Sequence, residues 1–272
     1  MTLAQIRETT SFLQEAGFEA PEVGVILGTG LGNQFVSQIK IEKELSYSDI
    51  PHFPVATVEF HSGKLIYGEV AGKKIVAMQG RFHYYEGYSM QEVTFPVRVM
   101  KLLGIKHLLI SNAAGNMNLN WNKGDLMLLD DHISLLPDNP LIGKNIDELG
   151  SRFPDMSQPY NATLNGMLQE VARDNNITLN TGVYVAVTGP NLETRAEYRF
   201  LRNIGADVVG MSTVPEVIVA NHMELPCCAV SVLTDECDPD HLKAVDIEEI
   251  IAVAGKAEPK LTTLYVELIK RL

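Results

Sequence analysis

The side chains best suited to chemistry lie in one short stretch, Gln79-Gly80-Arg81-Phe82-His83-Tyr84-Tyr85-Glu86-Gly87-Tyr88. Arg81 offers a planar fork of N–H donors that matches an oxyanion. His83 comes two residues later, so in an extended segment it points the same way. The pair predicts an anion site, with phosphate as the anion. The plainer account is a surface Arg and a hydrogen-bonded loop His. Flanking glycines and tyrosines weigh against it, because they shape a loop for close approach. Tyr85 is placed to meet a sugar hydroxyl, or else to pack as a half-buried aromatic.

Other stretches offer related chemistry. Gly28-Thr29-Gly30-Leu31-Gly32 follows an apolar run and presents backbone N–H groups and a hydroxyl to an anion. It is neither a dinucleotide fingerprint, since Asn33 replaces the last glycine, nor a P-loop. An ordinary tight turn fits it as well. His61, in Phe60-His61-Ser62-Gly63, is a second phosphate donor or a structural histidine. Glu193 follows a Gly-Pro turn, where a carboxylate accepts N–H bonds from a neutral ring such as a purine or sits favourably at a helix start. Ser212 and Thr213 precede Val214-Pro215-Glu216, with Thr213 and Glu216 at capping-box spacing. They cap that helix or hold an anion at its start, and Met211 packs on a sugar or base, or fills the core. Asp235 opens the acidic run Asp235, Glu236, Asp238, Asp240, and its place at a strand end makes it the site candidate. The run lacks calcium-loop spacing.

The elements that position these residues are legible as alternating strands and helices. A first amphipathic helix directs Leu3, Ile6, Leu13 and Ala16 inward. Strands are expected at 23–27, 107–112, 125–133, 183–187, 207–210 and 226–233, with a hairpin of 64–70 and 73–78 about Ala71-Gly72. Helices are expected at 94–103, 162–175, 194–203 and 214–223. Asp246 and Glu249 are candidate caps of the last helix, which Pro259 should kink or split. Residues 34–60 read as irregular and 137–160 as a long excursion, usually a sign of function or an interface. The order predicts an α/β fold, a central mixed sheet with helices on both faces, in one domain spanning 1–272.

Composition narrows the function classes. With 46% hydrophobic and 21% charged residues the chain is an ordinary globular protein. A net charge of -12 argues against nucleic acid and anionic membrane as partners, though not against a small anion held by a local Arg/His cluster. Cys227, Cys228 and Cys237 read as buried reduced thiols of a cytoplasmic protein, and no C-x-x-C pair suggests a structural zinc. No apolar run approaches membrane-spanning length.

Taken in order, these stretches resemble the purine nucleoside phosphorylase family in its trimeric branch. The markers are G-T-G-L-G at 28–32, H-S-G at 61–63, M-Q-G-R-F-H-Y-Y-E-G-Y at 78–88 and T-F-P-V-R-V at 94–99, then N-A-A-G at 112–115, G-P-N-L-E-T at 189–194 and G-M-S-T-V-P-E-V at 210–217. The resemblance implies phosphorolysis in purine salvage: phosphate attacks the anomeric carbon of a purine nucleoside, giving free base and pentose 1-phosphate. By that likeness Thr29, Arg81, His83, the Ala113 backbone and Ser212 hold phosphate, with His61 nearby. Tyr85 and Met211 meet the ribose. Glu193 and Asp235 hold the base, and Ala114, Gly115, Leu192 and Ile247 complete the nucleoside pocket. His83, Glu193 and Asp235 carry the catalytic roles. The resemblance also implies a homotrimer, with Phe153 reaching a neighbour's sugar pocket, and no metal or other cofactor, phosphate being a co-substrate. The residue chemistry agrees, since such a cleavage needs positioning and electrostatics and no nucleophilic side chain.

Three positions depart from the family pattern. Asp235 stands where Asn is frequent, Ile247 where a His often meets the 5′-hydroxyl, and Leu192 where an aromatic often covers the base. The first two lean toward the sister methylthioadenosine phosphorylases. Glu193 is the family's mark for 6-oxopurines, so inosine and guanosine are the favoured substrates and methylthioadenosine or adenosine the alternative. A nucleoside-binding sensor without turnover is the non-enzyme alternative, and a hydrolase using water is a further, enzymatic reading.

Overall fold

The computed structural model describes residues 1–55 and 63–272. Along the chain come α1 (Leu3–Glu15), β1 (Val23–Leu27), α2 (Asn33–Ser37), β2 (Lys40–Ser46), β3 (Lys64–Val70), β4 (Lys73–Gln79), α3 (Met90–Val93), α4 (Phe95–Leu103), β5 (His107–Asn116), β6 (Leu126–Ser134), α5 (Ala162–Asp174), β7 (Leu179–Ala186), α6 (Arg195–Asn203), β8 (Val208–Gly210), α7 (Val214–His222), β9 (Cys227–Glu236) and α8 (Ile247–Arg271). The strands form one mixed sheet in the order β2-β3-β4-β1-β5-β8-β7-β6-β9, and β9 also pairs with β5. That last pairing closes β5, β8, β7, β6 and β9 into a ring.

Alternation along the strands decides which side chains meet which helices. In β1, Val23, Val25 and Leu27 join a core with α5 and α8, while Ile26 joins the opposite core with α1, α4 and α7. The sheet is thus covered on both faces, as the alternating pattern predicts. Strands β1, β4, β5 and β9 run parallel side by side, so their carboxyl ends open at one edge of the layer. The site is built there, where open α/β sheets place ligands.

Several expectations are corrected. Residues 34–60 are not wholly irregular, because β2 pairs antiparallel with β3 through a bulge at Ile41/Lys43. This edge strand is exposed along almost its whole length, so it lacks the apolar alternation that marks a strand. Pro259 does not split the last helix, which runs unbroken from Ile247 to Arg271. Ala254 and Ala257 before the proline, and Leu261, Leu264 and Tyr265 after it, are buried in one core and hold both halves in line. Asp246 caps that helix, accepting from the Glu248 N–H at 2.9 Å, whereas Glu249 pairs with Lys123. The 137–160 excursion carries no helix or strand, as expected.

Candidate active site

Most of the residues singled out from sequence line one cavity of about 260 Å³. The 79–88 loop enters it from the end of β4. Phe82 turns into the core against Tyr47, ring centroids 5.1 Å apart, while Arg81 and His83 on either side line the cavity. The Tyr47 hydroxyl donates to the Gly80 carbonyl at 2.7 Å and pins the loop's start.

Arg81 is 2% exposed and does not act alone. Its Nε donates to Oε1 of Glu216 at 3.1 Å, Nη2 lies 2.9 Å from the same oxygen, and Nη1 donates to the Ser111 carbonyl at 2.6 Å. Glu216, equally buried, sits in the first turn of α7. The capping box expected of Thr213 and Glu216 therefore does not form. Thr213 makes no side-chain cap and holds φ +69, a left-handed backbone uncommon for a β-branched residue. A buried relay fixes it there: Ser231 Oγ donates to Asn112 Oδ1 at 2.7 Å, and Asn112 Nδ2 donates to Thr213 Oγ1 at 2.9 Å. Ser212 rides on this strained turn, with its Oγ 3.3 Å from Thr213 Oγ1.

His83 is oriented by Glu86, whose Oε1 lies 2.9 Å from Nδ1 and accepts the His83 backbone N–H at 2.8 Å. Tyr85 stacks on His83, centroids 4.7 Å apart and planes within 14°. Burial first, then the Glu86 charge, push its phenol up to about 12, so the hydroxyl keeps its proton and can donate.

The glycine turn contributes less than its sequence suggests. Behind it, the Gln34 N–H at the start of α2 donates to Glu258 of α8 at 2.7 Å. The Gly28 N–H goes to Ser111 Oγ at 3.1 Å. Those amides serve the fold, and Thr29 is the residue of the turn that lines the cavity.

Glu193 and Asp235, the residues expected to hold the base, both line the cavity. Burial raises the Glu193 pKa above the ordinary carboxylate range, with the Asp235 and Glu197 charges adding to it and a bond from Tyr198 opposing it. Asp235, next to last in β9, has both oxygens engaged: Thr234 Oγ1 donates to Oδ1 at 2.9 Å and the Cys237 thiol to Oδ2 at 3.2 Å. Gly115 makes room for this group, since a Cβ there would meet Cys237 Sγ at 2.6 Å. The Ala113 and Ala114 backbone, Leu192, Met211 and Ile247 complete the walls.

Two candidates stand apart. Phe153 does not line the cavity and is 87% exposed on the excursion, with the Arg152 guanidinium 5.7 Å from its ring centre. His61 lies outside the described residues. Sequence reasoning missed Glu86, Thr234, Cys237 and the true role of Glu216. Glu86, three residues after His83, and Thr234 and Cys237, on either side of Asp235, had a local signal, whereas Glu216 did not. Among the described residues no group of three His, Cys, Asp or Glu side chains can hold a metal ion, and no helix is long and apolar enough to cross a membrane.

The family model of the phosphorylase superfamily matches residues 22–270. Purine nucleoside phosphorylase 1 of Bacillus subtilis is 47% identical, with 93% of each chain covered. The chain belongs to the phosphorylase superfamily, among the purine nucleoside phosphorylases. Two solved structures superpose on it closely. Isoform 2 of purine nucleoside phosphorylase from Schistosoma mansoni, in complex with cytosine and ribose-1-phosphate, has a TM-score of 0.95 at 40% identity, covering 100% of this chain and 97% of that one. The Schistosoma mansoni enzyme in complex with inosine has a TM-score of 0.94 at 39% identity, with the same coverage.

Proposed function

We propose that this chain is a purine nucleoside phosphorylase, a pentosyltransferase that uses phosphate to cleave the N-glycosidic bond of inosine and guanosine, in ribo or deoxyribo form. The observation that carries the reading is one cavity holding both an anion-binding set (Thr29, Arg81, His83, Ser212) and paired carboxylates, Glu193 and Asp235. Relatives solved with inosine and with ribose-1-phosphate support it.

In this reading phosphate sits on Thr29, Arg81, His83, Ser212 and the Ala113 backbone, with His61 beside it. Glu216 matters here. It neutralises Arg81 and fixes its guanidinium, so the cation is preorganised without gripping phosphate too tightly to release it. Glu86 does the same for His83. Tyr85 and Met211 hold the ribose, with Tyr85 donating its hydroxyl hydrogen. Glu193 as a carboxylate accepts from ring N1–H and a 2-amino group of a 6-oxopurine. Glycosidic cleavage puts positive charge on the sugar and negative charge on the leaving purine. Phosphate below the ring stabilises the first, and the leaving purine takes a proton from water at N7, from whose N–H Asp235 then accepts. Ala114, Gly115, Leu192 and Ile247 exclude water around the base and sugar. The chemistry is positioning and electrostatics, with no cofactor and phosphate as co-substrate.

The working unit we propose is a homotrimer of single-domain chains in the cytoplasm. Phe153, a large apolar side chain held out in solvent, closes the neighbour's sugar pocket. One second reading has an observation behind it: Asp235 and Ile247, both on the cavity wall, suit a 6-amino base and a 5′-thioether. A substrate panel decides. Purified protein with phosphate should release hypoxanthine from inosine and none without phosphate. Cleavage of only adenosine or methylthioadenosine overturns the base assignment. Cleavage without phosphate makes it a hydrolase, and binding without turnover makes it a sensor.

A further inference from the structure

Arg98 belongs to the T-F-P-V-R-V stretch, which contributes nothing to the reaction cavity. It lies on α4 and is 3% exposed. Among the described residues no carboxylate pairs with it. Its Nη1 donates to Nδ1 of His222 at 3.3 Å, and its Nε has no partner. His222 in turn directs Nε2 to Oδ1 of Asn145 at 3.1 Å. An amide oxygen only accepts, so Nε2 carries the ring hydrogen and Nδ1 is the acceptor. His222 is therefore neutral, its pKa held down by burial and by the charges of Arg98 and Arg152. Burial lowers the Arg98 guanidinium to about 10.

The contrast is with Arg81, a guanidinium as deeply buried that has Glu216 on its fork. A buried cation facing only a neutral ring is costly unless an anion completes it. Arg98 opens on a separate cavity of about 270 Å³, which shares no lining residue with the reaction cavity. Lys144 lines the same cavity, with Gln91 and Asn145 as neutral polar groups and Leu141 and Ile142 as an apolar wall. Arg98, Lys144 and Met1 line this cavity and no carboxylate does, in a chain of net charge -12.

We propose that this cavity is a second anion site, built for a small tetrahedral oxyanion of the phosphate or sulfate class. The anion accepts from the Arg98 guanidinium and from the Lys144 ammonium, both of which line the cavity. In doing so it ties the Leu141–Asn145 part of the excursion to α4 and, through His222, to α7.

Diffraction from crystals soaked in selenate locates the anion by anomalous scattering. The expected result is a peak within hydrogen-bonding distance of Arg98 and Lys144, separate from any peak beside Thr29 and Ser212. A peak at the reaction cavity alone, or an acidic side chain of a second copy filling the Arg98 cavity, overturns the proposal. Arg98 is buried and its replacement risks misfolding, so the solution test uses exposed Lys144. Sulfate-dependent rises in melting temperature are compared for the wild type and Lys144→Ala. The variant should need about threefold more sulfate for the same rise. Superimposable curves overturn the proposal, because Lys144 lines this cavity and not the reaction cavity.

Discussion

Replacing Asp235 by Asn tests the base site most directly. In the wild type both carboxylate oxygens accept hydrogen bonds from within the protein, Oδ1 from Thr234 and Oδ2 from Cys237. An ionised carboxylate has no hydrogen to give. Facing a 6-oxo group it sets acceptor against acceptor, and facing a 6-amino group it accepts. An Asn keeps one oxygen for an internal donor and turns an NH₂ toward the ligand, where it donates to a 6-oxo group and clashes with a 6-amino group. A mismatched polar pair in an enclosed site costs about 1–3 kcal/mol. Asp235 is half-buried, so the low end applies to each substrate. The gain for one and the loss for the other then sum to about 2 kcal/mol, roughly a thirtyfold rise in the ratio of kcat/KM for inosine over adenosine. The assay is base release from each nucleoside at saturating phosphate, with thermal unfolding as the check on folding. A ratio that stays within about threefold of wild type would falsify the contact, because a transition-state contact must appear in kcat/KM.

How much of this site could be read from the chain depends on how local each signal is. Arg81, His83 and Tyr85 share one loop after one strand, so spacing alone places them together, and the cavity holds all three. Glu193 and Ser212 follow β7 and β8, Asp235 lies near the end of β9, and their convergence needs the family pattern or the sheet order. Glu216 was misassigned for a physical reason. Its spacing from Thr213 fits a cap, but Arg81, far away in sequence, presents an unpaired guanidinium that outcompetes a helix N–H for the carboxylate. Glu258 was invisible for a similar reason: the amide it accepts from, at the start of α2, lies on a distant segment. The fold shows the same division. Buried strands such as β1 and β9 announce themselves by continuous apolar runs, whereas exposed β2 does not. The ring that β9 closes on β5 has no local signature, because register between strands so far apart in sequence is set by packing of the whole sheet.

Two further outcomes follow from the buried charges. Glu216→Ala leaves the Arg81 guanidinium without its counter-charge at 2% exposure, and unfolding free energy should fall by about 3–5 kcal/mol. Denaturant unfolding measures it, and a loss below about 1 kcal/mol would mean that water or phosphate already compensates Arg81. The last outcome concerns pH. Burial raises the Glu193 pKa above 4.5, so the group takes up its proton at higher pH folded than unfolded. For stability the sign is clear: the folded state binds that proton more tightly, and this contribution is present in acid and lost as pH rises through the folded pKa. For activity the sign reverses under the proposed function, in which the carboxylate is the form that accepts from the purine N1–H. The acid limb of kcat/KM for inosine should therefore lie above the ordinary glutamate range, and Glu193→Gln should remove it. A limb that persists unchanged in Glu193→Gln assigns it to another group. The Asp235 charge is among the causes that raise Glu193, so Asp235→Asn should also move the limb to lower pH. If that limb stays put while the substrate ratio changes, Asp235 contacts the base without acting on Glu193, and the two carboxylates work as independent sites.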